Sequence, residues 1–229
     1  LEPIWVSVFT KDTYSCIKGR GIHGAMRNVK RAIKDRENAR YCLKIDIRKF
    51  YPSIDHDVLK TIIRRKIKCK DTLALLDTII DSTDGVPIGN YLSQYFANLM
   101  LAYFDHWIKE EKRVRYYFRY ADDMVFLAST KEELHILLAD IKKYLAALKL
   151  TLKGNEQIFP IAENRADKHG RGLDFVGFVF YHNQTLMRKS IKQNFCRMAA
   201  RLNKKLNISA RDYKQKLSLI HISEPTRPY

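Results

Sequence analysis

Residues 114–128 read VRYYFRYADDMVFLA, and they are the most informative segment for predicting the fold. Aromatic and branched apolar residues on both sides of Ala121-Asp122-Asp123 predict two antiparallel strands joined by a tight turn. Two adjacent carboxylates at the tip of such a hairpin repel each other unless a cation is present, and Mg²⁺ prefers oxygen ligands of this kind. An ordinary solvated turn is the alternative, because aspartate is common in turns.

A third carboxylate lies near the end of the apolar stretch 41–47 (YCLKIDI), whose alternation predicts a strand. Asp46 costs free energy in that setting unless it is paired or binds a metal ion. If this strand lies beside the hairpin, Asp46, Asp122 and Asp123 converge. Two-metal phosphoryl transfer needs such a set of carboxylates, which holds two ions about 3.5–4 Å apart against the attacking and leaving oxygens.

The 229 residues carry a formal net charge of +17, with 46% hydrophobic and 29% charged residues. This composition is ordinary for a globular protein of one or two domains. The charge favours a polyanionic partner: nucleic acid first, an anionic membrane surface second, with a basic but inert surface as the remaining alternative.

Sequence signals for export or membrane insertion are missing from the printed chain. No apolar run reaches the roughly 20 residues of a bilayer span, and no signal peptide is recognisable, although the chain begins at Leu1 and an N-terminal piece is expected to be missing. The cysteines show neither CxxC pairs nor zinc-site spacing, which indicates free thiols. They are Cys16, Cys42, Cys69 and Cys196. We therefore expect a cytoplasmic protein without a membrane partner.

The order of predicted elements is typical of an α+β protein with a small antiparallel sheet backed by helices. Predicted helices cover 25–38, 56–70, 71–81, 91–109, 131–148 and 189–206, and predicted strands cover 41–47, 114–120, 124–128, 150–153, 157–161 and 173–181. Glycine and proline within 84–89 predict a loop before the long helix.

Four segments together resemble the ordered core motifs of reverse transcriptases. They are LKIDIRKFYPSI, GVPIGNYLSQYFANLML, FRYADDMVFLA and, as the primer grip, RGLDFVGFVFY. The resemblance runs from about residue 10 to about 205 and implies a right-hand polymerase with fingers and palm and a partial thumb. It divides the chain into partial fingers (1–40), a palm (41–182) with finger-derived helices inserted at about 56–85, and the start of a thumb (183–216).

The same resemblance implies DNA synthesis on an RNA template from deoxynucleoside triphosphates, starting at a DNA or RNA primer. Two Mg²⁺ ions, with Mn²⁺ as a substitute, would be held by Asp46, Asp122 and Asp123 together with the carbonyl of Ile47. The setting would be a bacterial or phage-infected cell, with an accessory protein as a further partner. The other hypotheses are an RNA-binding or maturase-like protein without catalysis, and an untemplated or protein-primed polymerase in phage defence.

The resemblance implies two nucleotide-site roles, which involve three residues. Tyr51 matches the aromatic position that packs under the deoxyribose and excludes a 2′-hydroxyl; a core aromatic is the alternative. Lys18 and Arg20 match the fingers region and would clamp the triphosphate; a generic basic surface is the alternative.

The loop before the long helix indicates a subtype. Many reverse transcriptases have Gln after the loop proline, whereas this chain has Ile88 followed by Gly89, and then Ser93-Gln94. This pattern is similar to that of diversity-generating retroelement enzymes, in which an apolar residue here accompanies low fidelity opposite template adenine. The Ser-Gln pair also occurs in uncharacterised and defence-associated bacterial enzymes, and Ile88 could instead pack against Tyr91 or the sheet.

Template and primer contacts are expected from Ser93, Gln94, Gly177 and the helix at 189–206. That helix carries Lys189, Arg197 and Arg201 opposite an apolar stripe, which suits a helix facing phosphates, or a solvated amphipathic helix. The family's general acid has no clear match: Glu156-Gln157 stand where Lys-Thr is common, and Lys153 is a weak substitute. Residues 217–229 resemble a translated sequencing adapter and are expected to be non-native.

Overall fold

The computed structural model describes residues 1–87 and 89–206, the last three of them without side chains. It forms two compact units, Leu1–Leu186 and a second that begins at Met187. The helices are α1 Glu2–Val6, α2 Ile22–Ala32, α3 His56–Arg64, α4 Lys70–Ile80, α5 Tyr91–Met100, α6 Ala102–His106, α7 Lys131–Ala147 and α8 Lys189–Leu206. The strands are β1 Thr13–Tyr14, β2 Tyr41–Asp46, β3 Tyr116–Tyr120, β4 Asp123–Ala128, β5 Gln157–Pro160, β6 Leu173–Phe175, β7 Phe178–Phe180 and β8 Thr185–Met187.

A five-stranded sheet in the order β1-β3-β4-β2-β5 forms the centre of the first unit. The β3–β4 hairpin pairs through β4 with β2, and β2 pairs with β5, all antiparallel. The predicted α+β architecture with a small antiparallel sheet is therefore confirmed. The two-residue strand β1 is an addition, since it pairs with β3 in parallel. A second, three-stranded sheet has the order β6-β7-β8.

Each face of the central sheet has its own core, because successive residues of a strand point to opposite faces. Leu43 of β2 and Phe126 of β4 belong to the larger core, to which α3, α5 and α7 also contribute. Cys42 and Val125, one position away in each strand, belong to the second core, which includes residues of α2 and of the β6–β7 hairpin. By the same alternation Asp46, two pairs along from Cys42, lies on this second face.

Helices α4, α7 and α8 agree with the predicted ranges 71–81, 131–148 and 189–206. The predicted helices 25–38 and 56–70 are shorter in the structure, where α2 ends at Ala32 and α3 ends at Arg64. The long segment 91–109 is interrupted. Here α5 ends at Met100, because Leu101 has non-helical backbone angles (φ −104°, ψ 0°). Helix α6 follows, and after it comes a π-helical turn, Trp107–Glu111. The segment carries neither proline nor glycine and is largely apolar on all sides. Its periodicity therefore contains no signal for a break.

The predicted strand 173–181 is a hairpin, because Val176 and Gly177 both have positive φ (44° and 86°). Two consecutive residues of this kind form the tight turn that matches strand twist. The predicted strand 150–153 is reduced to one antiparallel bridge, Leu152 with Ile47. Within the described parts of the chain, no helix is long and apolar enough to cross a bilayer.

Candidate active site

The three predicted aspartates meet at one end of the central sheet. The β2–β4 register places Asp46 directly opposite Asp123, and Tyr120 is paired with Asp123 across the hairpin. Asp122 therefore lies in the turn itself, after Ala121, whose φ of 53° is in the left-handed region. A β-carbon makes that region unfavourable, so the turn is a locally strained one.

The crowding of the carboxylates has a direct electrostatic effect. The pKa of Asp122 is raised to about 6, first by burial and then by the negative charge of Asp46, with a smaller contribution from Asp123. Asp46 also shares a side-chain hydrogen bond with Asp122. Like charges that cannot both be solvated share protons in this way. The repulsion expected from the sequence is therefore present in the fold.

Two lysines supply positive charge to the site. Lys44 Nζ lies 3.3 Å from Asp123 Oδ2, and Lys153 Nζ lies 3.1 Å from Asp46 Oδ2. Lys153 is also held by its backbone, since its N–H donates to the Asp46 carbonyl at 2.9 Å. From the sequence, Lys153 was only a weak candidate for the site, and Lys44 was not predicted to belong to it. The sequence does contain one indication for Lys44: it is a charged residue within a strand whose other residues are largely apolar.

Lys44 connects the aspartates to the β6–β7 hairpin. Its ammonium group donates to the carbonyl of Asp174 at 2.6 Å while it remains close to Asp123. Gly177, predicted to contact primer or template, lies in the turn of that hairpin. The segment resembling a primer grip is thus tied by a side chain to the end of the sheet that carries the aspartates.

The donor chemistry at the site suits Mg²⁺. Carboxylate oxygens and a backbone carbonyl are the hard ligands this ion takes, and a divalent charge would remove the repulsion that raises the pKa of Asp122. Among the residues that the structure describes, no group of three or more Asp, Glu, His or Cys side chains is already arranged to hold a metal. The carboxylates of Asp46 and Asp123 face lysines instead, so a metal ion would have to displace them.

Tyr51 lies beside the glycine loop. It begins a short 3₁₀ turn, its ring is 5.7 Å from that of Phe50, and its carbonyl accepts from Val86 N–H at 3.1 Å. Gly85 has a φ of 68°, and a β-carbon on it would lie 2.4 Å from the Tyr51 carbonyl oxygen. The backbone of Tyr51 and this loop are therefore in direct contact.

The remainder of the loop is partly outside the described residues, since Ile88 is not among them. Gly89 is exposed and has a φ of 89°. Ser93 is buried, and its hydroxyl donates a hydrogen bond to the Pro87 carbonyl. This hydrogen bond holds the loop against the start of α5. Gln94 is exposed.

The predicted basic contacts have different surroundings. Lys18 is exposed, whereas Arg20 donates to the Thr10 carbonyl at 2.8 Å and so stabilises its own loop. Lys189, Arg197 and Arg201 are exposed on α8 in the second unit. Ile47 is buried, which leaves its backbone carbonyl as the group suited to a metal ligand.

The family model described as reverse transcriptase (RNA-dependent DNA polymerase) matches residues 1–155. The chain belongs to the reverse transcriptase family. This match includes Asp46, Asp122 and Asp123, and it ends before the β6–β7 hairpin.

One sequence relative and two solved structures of similar fold add to this result. Protein YkfC of Escherichia coli (strain K12) is 23% identical over 236 residues, covering 83% of this reverse transcriptase chain and 59% of YkfC. Apo telomerase from Candida tropicalis, truncated from the C-terminal domain, has a similar fold with a TM-score of 0.59 at 15% identity, covering 77% of this chain and 41% of telomerase. Telomerase from Candida albicans, in complex with a fragment of telomeric RNA, gives a TM-score of 0.58 at 11% identity, with coverage of 78% and 36%. The chain thus spans 59% of YkfC and 41% or less of the two telomerases.

Proposed function

We propose that this chain catalyses RNA-templated DNA synthesis, joining a primer 3′-hydroxyl to the α-phosphate of a deoxynucleoside triphosphate. The observation that carries the proposal is the convergence of Asp46, Asp122 and Asp123 at one sheet end, where burial and then the charge of Asp46 raise the pKa of Asp122 to about 6. A site that collects negative charge at this cost is suited to cations, and phosphoryl transfer is the chemistry that uses them.

The residues of the chain divide the work of such a reaction. Two Mg²⁺ ions, when bound, supply the charge that activates the attacking oxygen and stabilises the pyrophosphate leaving group. Asp46, Asp122 and Asp123, with the Ile47 carbonyl, hold them at the sheet end. Lys153, at 3.1 Å from Asp46, is the nearest candidate to neutralise charge on the leaving phosphates once Mg²⁺ takes its place.

A primer-extension assay tests the proposal directly. The chain, an annealed RNA template with a DNA primer, Mg²⁺ and the four deoxynucleotides should give products that end at the template terminus. If one deoxynucleotide is omitted, extension should stop where the template first calls for it. Chelation of Mg²⁺ should abolish extension altogether. Products that form without a template would support the untemplated polymerase instead, and an absence of products at any Mg²⁺ or Mn²⁺ concentration would favour the non-catalytic RNA-binding protein.

Tyr51 is proposed to select deoxyribonucleotides. Tyr51→Ala removes the ring that would lie under the sugar. Because a filled pocket rejects an added hydroxyl by shape, the ratio of ribonucleotide to deoxyribonucleotide incorporation should rise about ten-fold or more in this variant. Single-nucleotide extension with each substrate measures the ratio. Tyr51→Phe is the matched control, because it keeps the ring; an equal change in both variants would contradict a steric role.

We also propose the diversity-generating retroelement as the setting, on the Ile88-Gly89 and Ser93-Gln94 pattern alone. An apolar side chain cannot hydrogen-bond the template or the nucleotide, so discrimination rests on shape. Ile88→Gln should therefore lower misincorporation opposite template adenine, which sequencing of extension products measures. An error spectrum identical to that of the parent would contradict the assignment. Neighbouring template and variable repeats in the genome would support it, and a defence locus would favour the alternative.

The division of the chain into fingers (1–40), palm (41–182) and the start of a thumb (183–216) is part of the same proposal. The exposed row Lys189, Arg197 and Arg201 on α8 suits contact with the duplex backbone. The adapter-like residues 217–229 lie outside the described residues. A cytoplasmic location and an accessory protein remain predictions from the sequence.

A further inference from the structure

Arg119 is a fully buried arginine one residue before the Tyr-Ala-Asp-Asp turn begins. It lies in β3, and its ion pair with Asp105 has no exposed surface on either side chain. Strand alternation puts Arg119 on the face opposite to the catalytic aspartates, next to Tyr117, which belongs to the larger core. A buried ion pair is weak evidence for stability, because desolvation offsets its attraction. A reason for an arginine at this position has to lie in what else it holds.

The guanidinium group uses all five of its N–H donors. Nε and Nη2 donate to the two carboxylate oxygens of Asp105 at 2.8 and 2.6 Å. Nη2 also donates to the Asn98 carbonyl at 3.4 Å, and Nη1 donates to Asn98 Oδ1 at 3.1 Å. The remaining donor of Nη1 reaches the carbonyl of Ala121 at 3.1 Å, which is the first residue of the catalytic turn.

The partners of Arg119 are themselves fixed. Asp105 accepts from Thr13 Oγ1 at 2.8 Å and from the Tyr117 hydroxyl at 2.6 Å, so each of its oxygens receives two donors. Asn98 donates to the Ser15 carbonyl at 3.1 Å. A buried polar network in which every member is satisfied is rigid. The guanidinium group is therefore a fixed point beneath the sheet rather than an adaptable side chain.

The contact with Ala121 acts on a strained peptide. Ala121 has a φ of 53°, a conformation that L residues adopt only when the surroundings enforce it. The peptide that follows it presents its carbonyl to Arg119, and its N–H, which belongs to Asp122, donates to the Asp122 carboxylate. The orientation of one peptide plane thus links the buried guanidinium group to the carboxylate in the turn.

We propose that Arg119 is a positioning residue for the catalytic turn, which it holds through the Ala121 carbonyl from the opposite face of the sheet. Asp105 and Asn98 fix the guanidinium group, and Arg119 fixes the peptide that aims Asp122. The inference rests on the proposed polymerase function for its catalytic consequence, but its structural part can be measured without activity.

The test compares Arg119→Lys with Tyr117→Phe in the full chain. Lysine keeps the charge but cannot reach Asp105 and Ala121 together, whereas Tyr117→Phe removes one Asp105 hydrogen bond and touches nothing in the turn. Arg119→Lys should lower kcat about ten-fold or more, because misplacement of a reacting group acts on the chemical step. The Mg²⁺ concentration needed for half-maximal extension should rise, whereas the KM for primer–template should change less than about two-fold. Tyr117→Phe should lose thermal stability with kcat nearly unchanged.

Amide hydrogen exchange at residues 121–123 provides the readout that needs no activity. Exchange there should accelerate about ten-fold in Arg119→Lys relative to Tyr117→Phe, since a turn without its anchor opens locally. If Arg119→Lys does not fold, Asn98→Ala keeps the ion pair, removes the second partner of Nη1, and should accelerate the same amides. Equal exchange and equal kcat in all variants would overturn the role of Arg119. Accelerated exchange in a chain whose parent shows no extension would support Arg119 and contradict the polymerase function.

Discussion

Asp122→Asn is expected to lower the extension rate at least about 10³-fold and to make the metal-free protein more stable at neutral pH. The loss follows because a metal ligand contributes several kcal/mol to charge stabilisation in the transition state. The gain follows because an amide removes a negative charge that burial and Asp46 oppose. After allowance for solvent screening, the increase in unfolding free energy at pH 7 should be about 1–2 kcal/mol.

The sign of the pH dependence is fixed by the direction of the pKa shift. The carboxyl of Asp122 has a pKa of 3.8 when unperturbed and about 6 in the folded chain. Below the lower value both states are protonated, and Asp122 costs nothing. The cost grows as the pH rises from the unfolded pKa of 3.8 to the folded pKa of about 6, and it is complete above the folded value. The stability difference between Asp122→Asn and the parent should therefore be small near pH 4 and full at pH 7.5.

Thermal unfolding of both proteins in a chelating buffer at these two pH values measures the effect. Added Mg²⁺ should raise the unfolding temperature of the parent at pH 7.5 and do so less in Asp122→Asn, since the ion relieves the repulsion that the variant lacks. A variant less stable than the parent at pH 7.5 without metal would contradict this account of the aspartate cluster. Full extension activity in the variant would contradict the proposed role of Asp122 in catalysis.

The aspartate cluster could be predicted from the sequence because its geometry is local. A two-residue turn fixes Asp122 relative to Asp123, and an alternating strand fixes the face of Asp46, so only the pairing of β2 with β4 had to be assumed. The structure supplies that pairing and the register. The division into α+β elements was similarly available from periodicity, apart from the break at Leu101 inside an apolar segment.

The supporting groups could not be predicted in the same way, because their partners are distant in sequence. Lys44 meets the carbonyl of Asp174, 130 residues later, and Thr13 meets Asp105, 92 residues later. A charged residue inside an apolar strand signals that a partner exists, but the sequence does not identify it. The two-residue strand that contains Thr13 is too short to show an alternating pattern.

Gly85→Ala is expected to destabilise the fold strongly. A β-carbon at Gly85 would lie 2.4 Å from the Tyr51 carbonyl oxygen and 2.6 Å from Pro52 Cα, and the residue has a φ of 68°. The obstacles are backbone atoms, so a change of side-chain rotamer cannot relieve the contact, and the loop must move away from Tyr51. Backbone strain together with a forced shift should lower the unfolding free energy by about 3 kcal/mol or more.

Gly154→Ala separates the two contributions to that loss. Gly154 has a similar φ of 81°, but a β-carbon there would have nothing within 4 Å. Its substitution therefore measures the cost of the left-handed conformation alone, about 1 kcal/mol. Chemical denaturation of both variants gives the difference in unfolding free energy, which we attribute to the close approach of Gly85 to Tyr51.

If the two variants lose the same unfolding free energy, the loop relaxes without cost, and the contact does not fix the position of Tyr51. If Gly85→Ala alone also alters the selection between ribonucleotides and deoxyribonucleotides, the loop and Tyr51 form one nucleotide site, because the substitution leaves the Tyr51 side chain itself unchanged.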